Sequence, residues 1–196
     1  MTRRLCVLFA GNAGHGKSTA ADMLAAEAQM RGIQTLQMAF ADPIKEIAAH
    51  LLGIPLETSY GSQQDKLDFK VYGKSARHHL QWIGTEMGRD QVHKDIWVHR
   101  FAEKALASDA HLVIGSDCRF RNEMGVIREL LGSSMDLRIF KIVNPRVPVN
   151  MAHQSESEVY NIPNEDFDDV IRNTKELKDL AAHITLLANE LLQKVP

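Results

Sequence analysis

The chain has 196 residues, 44% of them hydrophobic and 24% charged, with a formal net charge of −2 at pH 7. That make-up fits one ordinary globular domain with a real core, and it excludes a global basic field for nonspecific nucleic-acid binding. No secretory leader pattern precedes the first strand and no apolar run approaches bilayer-spanning length, so a cytoplasmic chain without membrane contact is expected.

The apolar run at residues 5–10 predicts a buried strand. It leads straight into Gly11-Asn12-Ala13-Gly14-His15-Gly16-Lys17-Ser18, a full match to G-x-x-x-x-G-K-[ST]. In that setting consecutive backbone N–H groups and a helix N-terminus wrap a polyphosphate. Lys17 reaches the β- and γ-phosphates, and the Ser18 hydroxyl is placed to hold Mg²⁺. A nucleoside triphosphate is the expected ligand. An Ala-rich helix follows from residue 17 to about residue 31, ending at Gly32, then a strand at 35–40. Asp42 and Pro43 supply an N-cap and a preset first helical residue for a helix reaching Leu52, closed by Gly53-Ile54-Pro55. Residues 56–75 are polar and aperiodic, which predicts a functional or mobile segment.

Two helical patterns come next. Ala76, Leu80, Ile83 and Met87 form one apolar stripe, and Trp97, Phe101 and Ala105 another. Roughly opposite the first stripe lie Arg77, Gln81, Gly84 and Gly88. The glycines there signal either close approach of a ligand or tight packing. Residues 111–117 read as a core strand ending at Asp117, followed by a helix at about 120–131 and a strand at 137–143. An irregular stretch at 144–166, a short strand at 169–172 and a last helix with Leu177, Leu180, Ala181, Ile184, Leu187 and Leu191 on one face complete the chain. Strand and helix alternate, which predicts an α/β fold: a parallel sheet of about five strands with helices on both faces. Cys6 and Cys118 read as buried free thiols.

In such a sheet, ligands bind beyond the carboxyl ends of the strands. Asp117 there is either a Mg²⁺ partner or a cap for the next helix. Arg119 and Arg121 either neutralise a transferring phosphoryl group or sit solvated on the surface. Arg77 has the chemistry to clamp a phosphate and Gln81 to read a base edge, against a solvated polar face. The segment His153-Gln154-Ser155-Glu156-Ser157-Glu158 is either a substrate-contacting lid or a solvated acidic loop. Asn173-Thr174-Lys175-Glu176 most simply caps the last helix.

Taken in order, these pieces resemble the phage-type deoxynucleoside monophosphate kinases. The matching stretches are residues 11–19, 41–46, Arg77 with 81–86, 95–98, 117–123, 153–156 and 168–173. The resemblance implies a three-layer P-loop kinase fold formed by the whole chain, with a helical acceptor-binding insertion at about 54–108 and a lid at about 144–166. It implies transfer of the ATP γ-phosphoryl group to a deoxynucleoside 5′-monophosphate, with ATP and Mg²⁺ required. Lys17, Arg119 and Arg121 would be catalytic. Gly11, Asn12, Ala13, Gly14, His15, Gly16, Lys17, Ser18, Thr19 and Arg146 would hold ATP. Asp42, Lys45, Arg77, Gln81, Thr85, Arg89, Trp97, Asp117 and Glu156 would hold the acceptor, and Ser18 and Asp117 the metal. The expected partner is a nucleotide, with neither nucleic acid nor membrane, and a homodimer is compatible; a phage-encoded chain would act in the host cytoplasm. Related patterns occur in animal-type phosphomevalonate kinases, so another phosphorylated small molecule, nucleotides within DNA and an NTP-hydrolysing switch remain alternatives. Ser18 stands where many relatives carry Asp, no Gly follows Thr174, and residues 56–75 match poorly.

Overall fold

A computed structural model of the chain describes residues 3–149, 151, 154–174 and 176–195, with the backbone alone for Gln154 and Lys194. His153 and Lys175 lie outside the described residues. Two compact units are present: Met1–Ala39 with Phe101–Pro196, and Phe40–Arg100.

The first unit is built on β1 (Arg4–Ala10), β2 (Thr35–Met38), β5 (Leu112–Cys118), β6 (Met135–Val143) and β7 (Asp169–Arg172). They form one parallel sheet in the order β2-β5-β1-β6-β7. With β1 central, its side chains are buried on both sides, which is why residues 5–10 read as a continuous apolar run. Leu5, Val7 and Phe9 join a core with Ala20, Ala21 and Leu24 of α1 (Lys17–Met30) and with Leu180 and Ile184 of α9 (Leu177–Leu191). Alternation sends Cys6 and Leu8, both fully buried, to the opposite face. Helices cover both faces. Burial pushes the Cys6 thiol up to about 12, so it stays protonated and inert, as does the buried Cys118. Because all strands are parallel, the turns after β1, β5 and β6 emerge on one edge. Those turns carry the glycine-rich loop, Arg119 and Asn144.

The second unit holds α2 (Asp42–Leu52), α3 (Leu56–Tyr60), α4 (Gln63–Asp68), the two-residue strands β3 (Lys70–Val71) and β4 (Lys74–Ser75), and α5 (Ala76–Trp82). The aperiodic stretch 56–75 is thus two short helices and a tight hairpin, too short for a hydrophobic period to register. Ala41, rather than Asp42, is the α2 N-cap, and Asp42 and Pro43 fill the first helical positions. The helix expected from the Ala76, Leu80, Ile83 and Met87 stripe begins as α5 and widens at Ile83–Asp90 into a π-helix. α6 (Ile96–Ala107) begins in this unit.

Packing explains the glycine at 88, and a Cβ at 84 would crowd Ile44 Cδ1 at 3.1 Å. A Cβ on Gly88 would collide with the Trp97 ring, and Trp97 Nε1 donates to the Gly84 carbonyl at 2.8 Å. Trp97, expected at the substrate, is 4% exposed and braces the π-helix. A π-turn shifts a carbonyl out of the regular ladder, and the indole N–H satisfies one. Trp97→Phe is therefore expected to cost about 1–2 kcal/mol of stability, read as a lower urea midpoint with an unchanged slope.

The remaining differences are local. α8 (Gln154–Asn161) occupies part of the stretch expected to be irregular. On α9, Leu177 is exposed, whereas Ala188 completes the buried face. Within the segment expected to cap the last helix, Glu176, paired reciprocally with Asp179, is the α9 N-cap. α7 (Arg121–Leu131) has Phe120 at its N-cap, so Asp117 does not cap that helix either.

Candidate active site

β1 is followed by Gly11, whose φ of 137° and whose place against the Ile142 carbonyl both exclude a side chain. Gly16, at φ 104°, turns the loop into α1. No acidic residue occupies the first turn of α1, so its positive end is left uncompensated from within the helix. Ser18 is exposed there, and Lys17 is 6% exposed with its Nζ donating to the Asn12 carbonyl at 2.7 Å. Burial, then the Arg119 charge, lowers the Lys17 ammonium to about 8 against opposing contributions from Glu156 and Asp117.

One carboxylate ties the loop together. Glu156 Oε2 accepts from the Ala13 N–H at 2.8 Å and from Asn12 Nδ2 at 3.0 Å. Its Oε1 accepts from Arg119 Nη1 at 2.5 Å. Asn12 Nδ2 also donates to the Glu156 backbone carbonyl at 2.7 Å. Burial raises the Glu156 carboxyl, but the Ala13 amide, Arg119, Asn12 and Lys17 outweigh it and hold the group below its ordinary value. Glu156 is accordingly ionised at neutral pH.

Arg119 is fixed from behind. The buried Glu123 carboxylate accepts the N–H groups of Arg119 and Phe120 at 2.8 and 3.0 Å. Arg121, expected beside it, instead pairs with Asp166 at 2.9 Å on the surface. Asp117 lies on β5 close enough for its charge to act on Lys17. Ser18 and Asp117 are hard oxygen donors, suited to Mg²⁺ and poorly suited to softer metals.

The other flank of the loop is held by β6 and β7. His15 is 3% exposed, and its Nδ1 accepts the Asn144 N–H at 3.2 Å. Burial chiefly lowers its pKa, so the ring is neutral. Asn173 Nδ2 donates to the His15 carbonyl at 3.0 Å. Gly14 faces Val147 in a turn where Asn144 Oδ1 accepts the Arg146 N–H at 3.0 Å, leaving the Arg146 side chain exposed beside the loop. Thr19 follows half-buried on α1.

In the second unit, Asp42 and Lys45 form an ion pair at 3.6 Å, Tyr60 donates its hydroxyl to Asp42 at 2.7 Å, and the Lys45 ammonium lies 3.6 Å over the Tyr60 ring. Arg77 and Gln81 share a face of α5, whereas Thr85 and Arg89 fall on the π-helix. Arg77 and Arg89 are half-buried; Gln81 and Thr85 are exposed. The sequence reading missed Glu123, Tyr60 and Lys141. Glu123 had a signal, an acid three residues into a helix. Tyr60 had none, lying in the aperiodic stretch. Lys141 interrupts an apolar strand, and its buried Nζ donates to the Ile162 carbonyl at 2.8 Å, tying β6 to the segment after α8.

A protein of Acanthamoeba polyphaga mimivirus that bears the name deoxynucleotide monophosphate kinase is 31% identical over 187 residues, 89% of this chain and 91% of its own length. The chain belongs to the phage-type deoxynucleoside monophosphate kinase family. The deoxynucleoside-5′-monophosphate kinase of Escherichia phage T5 is 32% identical over 87 residues, 43% of this chain and 35% of that protein. No protein-family model matches the chain. Among solved structures, a mutant of the Mycobacterium tuberculosis APS kinase covers 97% of this chain at 15% identity, with a TM-score of 0.54. The same kinase in complex with AMPPNP and APS aligns at a TM-score of 0.52. This likeness shows the P-loop kinase fold, and membership of the monophosphate kinase family makes the chain a kinase. Among the described residues, no helix is long and apolar enough to cross a membrane.

Proposed function

We propose that this kinase transfers the ATP γ-phosphoryl group to a deoxynucleoside 5′-monophosphate, giving the diphosphate. The observation that carries this reading is the convergence of Lys17 and Arg119 on the glycine-rich loop at the positive end of α1. Two fixed cations and a row of amides answer the electrostatic problem of bringing two polyanions together.

An acceptor phosphate is already ionised at neutral pH, so no general base has to make the nucleophile. Catalysis then rests on positioning and charge neutralisation. The loop amides and the first turn of α1 bind the polyphosphate. Lys17 neutralises the β- and γ-phosphates, and the Arg119 fork stabilises charge spread over the transferring group. Ser18 and Asp117 would hold Mg²⁺, which supplies further neutralisation of the phosphates when bound. Arg77 and Arg89 are our candidates for the acceptor phosphate, with Gln81, Thr85, Asp42 and Lys45 for the nucleoside. Arg146, exposed on the turn beside the loop, is our candidate for closing over ATP and excluding water.

The Lys17 proton gives a pH signature. In the free enzyme the ammonium is lost as pH rises through about 8, and with it attraction for ATP. kcat/KM for ATP is expected to fall about tenfold per pH unit beyond that point, while kcat stays level because bound polyphosphate keeps Lys17 protonated. A kcat/KM flat to about pH 10 would contradict this role.

The substrate is tested by ADP release from Mg-ATP with a panel of deoxy- and ribonucleoside monophosphates and phosphomevalonate. Stimulation by one or more deoxynucleoside monophosphates is expected. A response to phosphomevalonate alone would keep the transfer and replace the acceptor.

A further inference from the structure

The Glu156 carboxylate occupies positions that a phosphate would want. It takes the Ala13 loop amide at 2.8 Å and the Arg119 guanidinium at 2.5 Å, and its charge faces Lys17. Its side chain is only 7% exposed, so it does not merely touch the loop rim. We propose that Glu156 is an internal stand-in for phosphate, holding Arg119 and the loop amide when no nucleotide is bound and giving them up when one arrives.

The reasoning is electrostatic. Lys17 and Arg119 are like charges held close together beside a helix N-terminus, an arrangement that needs an anion. Without polyphosphate, that anion is Glu156. A bound polyphosphate supplies the missing charge from outside, and two anions then compete for the same amide and guanidinium. Coulomb repulsion between them in a partly buried site is enough to move one long side chain.

Leverage comes from the second contact. Asn12 Nδ2 holds both the Glu156 side chain and its backbone carbonyl. Releasing the carboxylate therefore loosens the start of α8, whose far end is moored by Lys141 to the Tyr160 and Ile162 carbonyls. The occupancy of the loop is in this way communicated to α8. Glu156 acts on Arg119 and the loop of the empty site, where the sequence had suggested a contact with the acceptor. The inference rests on polyphosphate binding at this loop, as in the proposed function.

The test uses inorganic tripolyphosphate as the probe and the full chain. Glu156→Gln keeps an acceptor for the Ala13 amide and removes the charge. It is expected to bind tripolyphosphate about tenfold more tightly than the wild type in calorimetry. Glu156→Asp, which keeps the charge, is expected to return tripolyphosphate affinity toward the wild-type value. In the wild type, tripolyphosphate is expected to speed amide hydrogen exchange across residues 154–158, a readout that holds even if the variant folds poorly. Equal or weaker binding by Glu156→Gln, or exchange in α8 slowed by the probe, would overturn the stand-in role. Failure of the wild type to bind tripolyphosphate at all would instead overturn the polyphosphate site itself.

Discussion

Replacing Lys17 with Met is expected to lower kcat for phosphoryl transfer by about 10³-fold or more while leaving the fold intact. In the proposed mechanism the ammonium neutralises the β- and γ-phosphates, and it is held against the loop by its bond to the Asn12 carbonyl. Stability should not suffer, and the sign follows from linkage. The folded pKa, about 8, lies below the ordinary lysine value of about 10.4. Between those pH values the unfolded chain binds more protons, so stability rises with pH there. At neutral pH the charged Lys17 therefore costs the empty fold free energy. Met, apolar and of similar length, removes that cost at the expense of one bond to the Asn12 carbonyl. Circular dichroism should show a melting temperature unchanged or higher, with transfer gone. A variant that has lost activity because it has unfolded would refute the assignment.

Arg119→Ala is expected to lower kcat by about 10²-fold and to raise the KM for ATP. Its backbone is pinned by Glu123, and in the empty site its guanidinium is already drawn to an anion at the loop, the Glu156 carboxylate. Arg119→Lys keeps the charge but loses the planar fork, and only a small part of the activity should return. Arg121→Ala provides the contrast. Arg121 is exposed and paired with Asp166, and its removal should change kcat by less than about threefold. Equal losses at the two positions would mean that Arg121 reaches the site during turnover.

The sheet was legible because both of its faces are buried. Continuous apolar runs at 5–10 and 112–114 can be little else, and the glycine-rich motif marked the edge at which ligands would lie. Short elements were not legible. α3, α4 and the hairpin at 70–75 are each shorter than two helical turns or a full alternation, so no periodicity could separate them from loop. The π-helix was invisible for a different reason. Its cause is the Trp97 indole, which comes from another helix and whose stripe position reads only as apolar. Within the loop cluster, residue types announced Lys17 and Ser18, but Arg119 and Arg121 were chemically indistinguishable. What separates them is tertiary: Glu123 and Glu156 claim one, and Asp166 claims the other. Asn173 followed the same logic, because a residue that reads as a helix cap was taken by the His15 carbonyl.

The most direct test of phosphoryl transfer is to follow label from γ-³²P-ATP in a single turnover with each deoxynucleoside monophosphate. Label is expected in a deoxynucleoside diphosphate, with little released as inorganic phosphate. Label found only as inorganic phosphate, at a rate indifferent to every acceptor, would contradict it and make the site one for hydrolysis.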